Sequence, residues 1–169
     1  LLDETGRIEW FNRIAAEHES AQLPLLRVSH WQVDAHGTPA RTFDSHPGPE
    51  QPMMAVLVPP SIAEFTEDQA PPALLQWLRL QHAGGTVLGG VCIGSIMLAR
   101  SGLLDGRSAT THWSSAKSFA ASYPAVRLEA DKPIVDDGDL ITSAGLMAWS
   151  ELGLRLVDRL MGPSIAADT

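Results

Sequence analysis

The single cysteine of this sequence lies in residues 90–94, which read Gly-Val-Cys-Ile-Gly, and its surroundings point to covalent chemistry. An apolar run at 86–91 predicts a buried strand before Cys92, and residues 93–104 predict a helix after it. Glycines on both sides relieve crowding at a sharp strand-to-helix turn, which would expose the thiol at the carboxyl edge of a sheet. The pattern is typical of a nucleophile elbow. A buried structural cysteine is the alternative that the residues leave open.

The predicted helix after Cys92 suggests how a nucleophile there would be activated. The positive end of a helix stabilises negative charge, so we expect it to lower the pKa of the Cys92 thiol and raise the thiolate fraction. The backbone N–H of Ile93 would be placed to receive an oxyanion that develops on a substrate. Cys92 and Ile93 are therefore the first candidate site residues.

Strands and helices alternate along the chain in a way that would place this turn in a layered fold. Apolar runs at 53–58 and 86–91 are typical of buried parallel strands, and a helix is predicted to start at Pro71-Pro72 and to stop at Gly84-Gly85. Acidic and glycine residues at 136–139 predict a tight turn, and 146–160 predict a long amphipathic helix. The expected architecture is an α/β three-layer sandwich with a mostly parallel, flavodoxin-like sheet flanked by helices.

Composition excludes several classes of function. The 169 residues carry a formal charge of −8, which is unfavourable for binding nucleic acid through this part of the protein. One cysteine allows no internal disulfide, and no metal-ligand spacing or dinucleotide motif accompanies it, so we expect no metal and no cofactor. No apolar run has the length of a membrane helix, and we expect a cytoplasmic protein without a membrane segment.

Several stretches carry a specific family resemblance. They are residues 91–95, 99–107, 109–113 (Ala-Thr-Thr-His-Trp), 135–145 and 162–166, together with an opening that places Asp3 after Leu2. In these stretches the chain resembles the ThiJ/PfpI superfamily, which has a class I glutamine-amidotransferase-like fold. It is most similar to the N-terminal domain of AraC-type transcriptional regulators. The resemblance implies one domain over 1–169, a first strand before Leu1 and a DNA-binding helix-turn-helix domain after residue 169.

The resemblance also implies roles for particular residues. Catalytic relatives such as isonitrile hydratases would make Cys92 the nucleophile, Asp3 the facing carboxylate and His112 a polar partner. Two departures weigh against turnover. Ile93 replaces a hydroxyl or histidine residue, and Pro59-Pro60-Ser61 stands where the superfamily usually reads Pro-Gly-Gly, whose backbone supplies oxyanion donors. The residues implied to surround a ligand cavity are Cys92, Ile93, Ser61, His112, Trp113 and Ser143.

These observations favour a ligand-sensing regulatory domain that binds a small-molecule effector. The resemblance implies a homodimer that reaches DNA through the C-terminal domain. Two alternatives remain open. One is a cysteine-dependent hydratase or hydrolase of the same superfamily, and the other is a redox sensor in which Cys92 is oxidised.

Overall fold

Four strands form the main sheet in a computed structural model that describes residues 26–34, 37–60, 70–145 and 147–167. They are β3 (Ala55–Val58), β4 (Val87–Val91), β7 (Ile134–Asp136) and β8 (Leu140–Ser143), in the order β3-β4-β8-β7. Strands β3, β4 and β8 are parallel, whereas β7 and β8 form an antiparallel hairpin. The mostly parallel sheet and the hairpin predicted at 136–139 are both confirmed.

Helices cover both faces of this sheet. Helices α1 (Pro72–Ala83) and α2 (Gly94–Arg100) pack on the face that carries Leu88 and Leu140. Helix α4 (Trp149–Met161) packs on the opposite face, against Val91 and Ile141. Because side chains alternate along a strand, neighbouring residues of β8 serve the two different cores. The predicted three-layer α/β arrangement is confirmed.

The smaller elements lie around this framework. Strands β1 (Ser29–Val33) and β2 (Pro39–Asp44) form an antiparallel pair. Strands β5 (Ser108–Ala109) and β6 (Arg127–Leu128) form a short parallel pair. A 3₁₀ turn (Trp113–Ser115) leads into α3 (Ala116–Ser122), and α5 (Pro163–Ala167) follows α4. Within the described ranges, none of the helices combines the length and apolar composition needed to cross a bilayer.

Some element boundaries differ from the sequence expectations. The helix expected at 93–104 ends at Arg100, because the chain turns after Ser101 and Gly102 adopts a φ of 78°. The long helix expected at 146–160 starts at Trp149. Strand β2 was not predicted, because four of its six residues are exposed and no apolar alternation marks it. Arg27 instead holds the end of β2 through a two-pronged ion pair, which lowers the pKa of Asp44 to about 2.

Basic side chains from three parts of the chain contact the acidic turn between β7 and β8. His82 at the end of α1 and Arg107 after α2 both reach Asp139, each at 2.6 Å. The other pairs are Arg107–Asp137 and Arg159–Asp136. Since β8 runs parallel to β4, the turn lies at the amino edge of the sheet, opposite the end where Cys92 follows β4. We name this arrangement the amino-edge clamp.

The close packing of the backbone at the carboxyl edge of the sheet requires glycine at positions 90 and 94. A Cβ atom at Gly94 would lie 2.9 Å from the carbonyl oxygen of Pro59 and closer still to that of Val58. At Gly90 a Cβ would lie 2.8 Å from the Cα of Ser95. Both contacts are with backbone, which cannot rotate away as a side chain can. The end of β3 and the start of α2 are therefore adjacent because Gly94 has no side chain.

Substitution of Gly94 tests this constraint. We expect Gly94→Ala to lower the free energy of unfolding by about 1–3 kcal/mol or more, because backbone must shift to admit the methyl group. Gly153→Ala is the matched control. It lies inside α4 with no atom within 4 Å of the added Cβ, and it should stabilise by about 0.5–1 kcal/mol. Denaturant unfolding measures both, and equal effects would contradict the packing described.

Candidate functional site

Cys92 occupies a strained backbone position between β4 and α2. Its φ is 59°, and among the described non-glycine residues no other has a positive φ. Its N–H donates to the carbonyl oxygen of Ser143 at 2.7 Å, which joins the ends of β4 and β8. Backbone strain of this kind persists only where the surrounding structure holds it, and it is concentrated at functional sites. The geometry has the strand-turn-helix form expected from the sequence, and its use as a nucleophile elbow remains a prediction.

The hydroxyl groups of Ser95 and Thr111 lie within hydrogen-bond distance of the Cys92 carbonyl oxygen. Ser95 Oγ lies 2.8 Å from the Cys92 carbonyl oxygen and 2.9 Å from Thr111 Oγ1. Thr111 Oγ1 in turn lies 3.4 Å from the same carbonyl. Ser95 and Thr111 are fully buried, so these bonds form without competition from bulk water. Sequence reasoning did not assign a role to either residue, although both stand in the stretches that carry the family resemblance.

The environment of the Cys92 thiol differs from the expectation. The side chain is 5% exposed, and burial raises its pKa above the ordinary value of 9.0. A hydrogen bond from the Ile93 N–H lowers the pKa, but by less than burial raises it. The expectation that the helix N-terminus would leave an acidic thiol is therefore wrong. Helix α2 has seven residues, and desolvation of the thiolate outweighs the stabilisation that the turn provides.

Carbonyl oxygens, which are hydrogen-bond acceptors, lie on one side of the turn at Cys92. The Ile93 N–H lies close enough to the thiol to lower its pKa. At the end of β3 the carbonyl oxygens of Val58 and Pro59 face Gly94. A carbonyl oxygen accepts hydrogen bonds and cannot stabilise an oxyanion. Ser61 and Asp3, which were also predicted to belong to this site, lie outside the described residues.

His112 and Trp113 lie in the segment that follows β5, and their rings contact each other. His112 Nδ1 accepts from the Ser114 N–H at 3.3 Å and lies 2.7 Å from Ser114 Oγ, so the imidazole caps the 3₁₀ turn. Trp113 is 77% exposed, and its ring lies tilted by 38° against that of His112 with centroids 5.3 Å apart. Their predicted roles as catalytic partner and pocket wall remain predictions.

Ser143 is the predicted ligand residue that the structure brings directly to Cys92. It is the last residue of β8 and is fully buried. Its hydroxyl has no hydrogen-bond partner in the described part of the chain. The same part of the chain contains no group of three or more His, Cys, Asp or Glu side chains arranged to hold a metal ion.

Comparison with known proteins shows sequence similarity to a transcriptional regulator and to an enzyme. The chain is 46% identical over 96 residues to the HTH-type transcriptional regulator CdhR of Pseudomonas aeruginosa, covering 56% of this chain and 28% of CdhR. It is 30% identical over 132 residues to isonitrile hydratase of Pseudomonas putida, covering 76% of this chain and 53% of the enzyme. The chain thus spans between about a quarter and a half of the length of these relatives.

The fold matches a solved structure over nearly its whole length. An AraC family transcriptional regulator from Pseudomonas putida superposes with a TM-score of 0.62 at 19% identity, covering 95% of this chain and 86% of that one. At this identity the likeness establishes the fold. The family model described as DJ-1/PfpI matches residues 53–159, more than half of the 169-residue chain. The chain therefore belongs to the DJ-1/PfpI family.

Proposed function

We propose that this chain is the ligand-sensing regulatory domain of an AraC-type transcriptional regulator. The similarity to CdhR carries the proposal, since the match covers a little over half of this chain and 28% of that regulator. In this arrangement a small-molecule effector binds at the carboxyl edge of the sheet. A homodimer transmits the change, and a separate domain contacts DNA. The formal charge of −8 is consistent with a domain that does not itself track phosphates.

The geometry around Cys92 supports binding rather than turnover. Burial holds the thiol in its neutral form, whereas the nucleophile of a cysteine enzyme is the thiolate. The causes that move this pKa are burial and the Ile93 N–H, and no charged side chain of the described ranges contributes. The nearby Val58 and Pro59 carbonyls are acceptors. A site of this kind can shift a conformational equilibrium through ligand affinity without lowering a chemical barrier.

A cysteine-dependent hydratase is the second candidate function. The similarity to isonitrile hydratase extends over 132 residues, and Cys92 has the positive φ expected of an elbow nucleophile. Under this reading, substrate binding would have to activate a thiol that the free protein keeps neutral. This candidate predicts turnover, and the regulatory proposal does not.

DNA binding by the full-length protein tests the regulatory proposal. We expect the native protein to bind a fluorescent duplex from the region upstream of its own gene about 10³-fold or more tightly than a scrambled duplex of equal length. Fluorescence anisotropy at several salt concentrations measures both affinities. Equal affinities for the two duplexes, or a native reading frame without a DNA-binding domain, would contradict the proposal.

Turnover of isonitriles tests the second candidate. We expect no isonitrile consumption by the full-length protein above the rate of Cys92→Ser, because burial raises the pKa of the thiol and Pro60 has no N–H to offer an oxyanion. Gas or liquid chromatography of substrate and N-formyl product provides the measurement. Steady turnover in the native protein that Cys92→Ser abolishes would establish the enzyme instead.

The pH dependence of thiol alkylation tests the environment of Cys92 and the redox-sensor alternative. Since burial raises the pKa, the rate of reaction with iodoacetamide should rise with a midpoint above pH 9.0, the ordinary thiol value. At pH 8 the folded protein should react roughly tenfold or more slowly than the same protein in denaturant. Peroxide should oxidise it no faster than a free thiol. A midpoint below that of free cysteine, with rapid peroxide oxidation, would favour the redox sensor.

A further inference from the structure

In the described core, all but one of the buried hydroxyl groups have a hydrogen-bond partner. Every buried polar side chain in this part of the molecule belongs to serine or threonine. All but Ser143 have a hydrogen-bond partner for their hydroxyl. The partnered residues are Thr86, Ser95, Ser101, Thr110, Thr111 and Thr142. Leaving a buried hydroxyl without a partner costs free energy, and such a group in a native protein requires an explanation.

The position of Ser143 suggests an explanation for its unpartnered hydroxyl. It ends β8 at the carboxyl edge, pairs in register with Val91, and its carbonyl oxygen accepts the Cys92 N–H. Its side chain alternates with that of Thr142 and shares the strand face of Ile141. Ile141 packs against α4, so the Ser143 hydroxyl is directed to the α4 side of the sheet. The unpartnered group thus lies beside the strained cysteine.

The first turn of α4 covers the same region. Trp149, its first residue, packs against the core cluster that contains Val91 and Cys92, while Leu152, one turn later, lies close to Gly89. The helix has 13 residues, and its N-cap, Ala148, supplies no side-chain hydrogen bond. Its positive end therefore points to the carboxyl edge. The acidic residue of that turn, Glu151, is on the exposed side.

We propose that Ser143 and the N-terminus of α4 form the subsite that anchors a carboxylate group of the effector. The Ser143 hydroxyl donates to one carboxylate oxygen, and the positive end of the helix stabilises the charge. The inference rests on the proposed regulatory function and adds the chemical class of the ligand. Because Ser143 has no exposed surface, the ligand reaches it only when the carboxyl edge opens. Binding is thereby coupled to a conformational change, as sensing requires.

Thermal unfolding of the full-length protein tests this subsite. The probes are amino acids and other carboxylates of two to eight carbons, each compared with its primary amide. We expect at least one acid to raise the melting temperature while its amide does not. In Ser143→Ala the affinity for that acid should fall about 10- to 100-fold, the usual effect of losing a hydrogen bond to a charged group.

The unliganded variants provide a second readout. Ser143→Ala removes a hydroxyl without a partner and should leave the melting temperature unchanged or higher. Ser101→Ala is the matched control, because Ser101 is a buried serine whose hydroxyl donates to the Leu98 carbonyl oxygen at 2.7 Å. It should lower the melting temperature and keep the response to the acid.

Several outcomes overturn the subsite. They are no acid-specific stabilisation, equal stabilisation by acid and amide, an acid response that survives Ser143→Ala, or a destabilised Ser143→Ala protein whose acid response persists. Sequence-specific DNA binding with a ligand response independent of Ser143 overturns the subsite alone. Ser143-dependent carboxylate binding in a protein without DNA affinity overturns the regulatory function alone.

Discussion

The contact between the end of β3 and the start of α2 determines the geometry of the carboxyl edge. Because the Val58 and Pro59 carbonyls occupy the space that a side chain at Gly94 would need, the helix begins directly against the neighbouring strand. The chain must then turn within Cys92 and Ile93, and Cys92 takes a φ of 59°. Ser95 and Thr111 fix the carbonyl of that residue from the core. The placement of the thiol follows from a backbone contact two residues away.

The same contact explains why the edge is suited to binding. Bringing α2 against β3 buries the thiol, and burial disfavours the thiolate more strongly than the Ile93 N–H stabilises it. It also directs carbonyl oxygens to the turn. The edge at Cys92 is therefore uncharged and offers hydrogen-bonding groups, and ligand sensing there is the function that we propose.

The layered fold could be predicted from the sequence, because buried parallel strands are continuous apolar runs and helix ends carry proline or glycine. Strand β2 could not, since its residues are mostly exposed and it is held by pairing with β1 and by Arg27. At the site, the Gly-Val-Cys-Ile-Gly motif predicted the strand-turn-helix form at Cys92, and the family resemblance added Ser143 to the predicted site. The direction of the thiol pKa could not be predicted, because it depends on how tightly Gly94 packs. The missing partner of Ser143 likewise depends on three-dimensional contacts.

The amino-edge clamp has a mechanical consequence for the domain. Its salt bridges and the His82–Asp139 hydrogen bond join the end of α1, the loop after α2 and the end of α4 to one turn, so both helical layers contact the same end of the sheet. If the helical layers move while these contacts persist, the displacement is smallest at this turn and largest away from it, towards the carboxyl edge that carries Cys92 and Ser143.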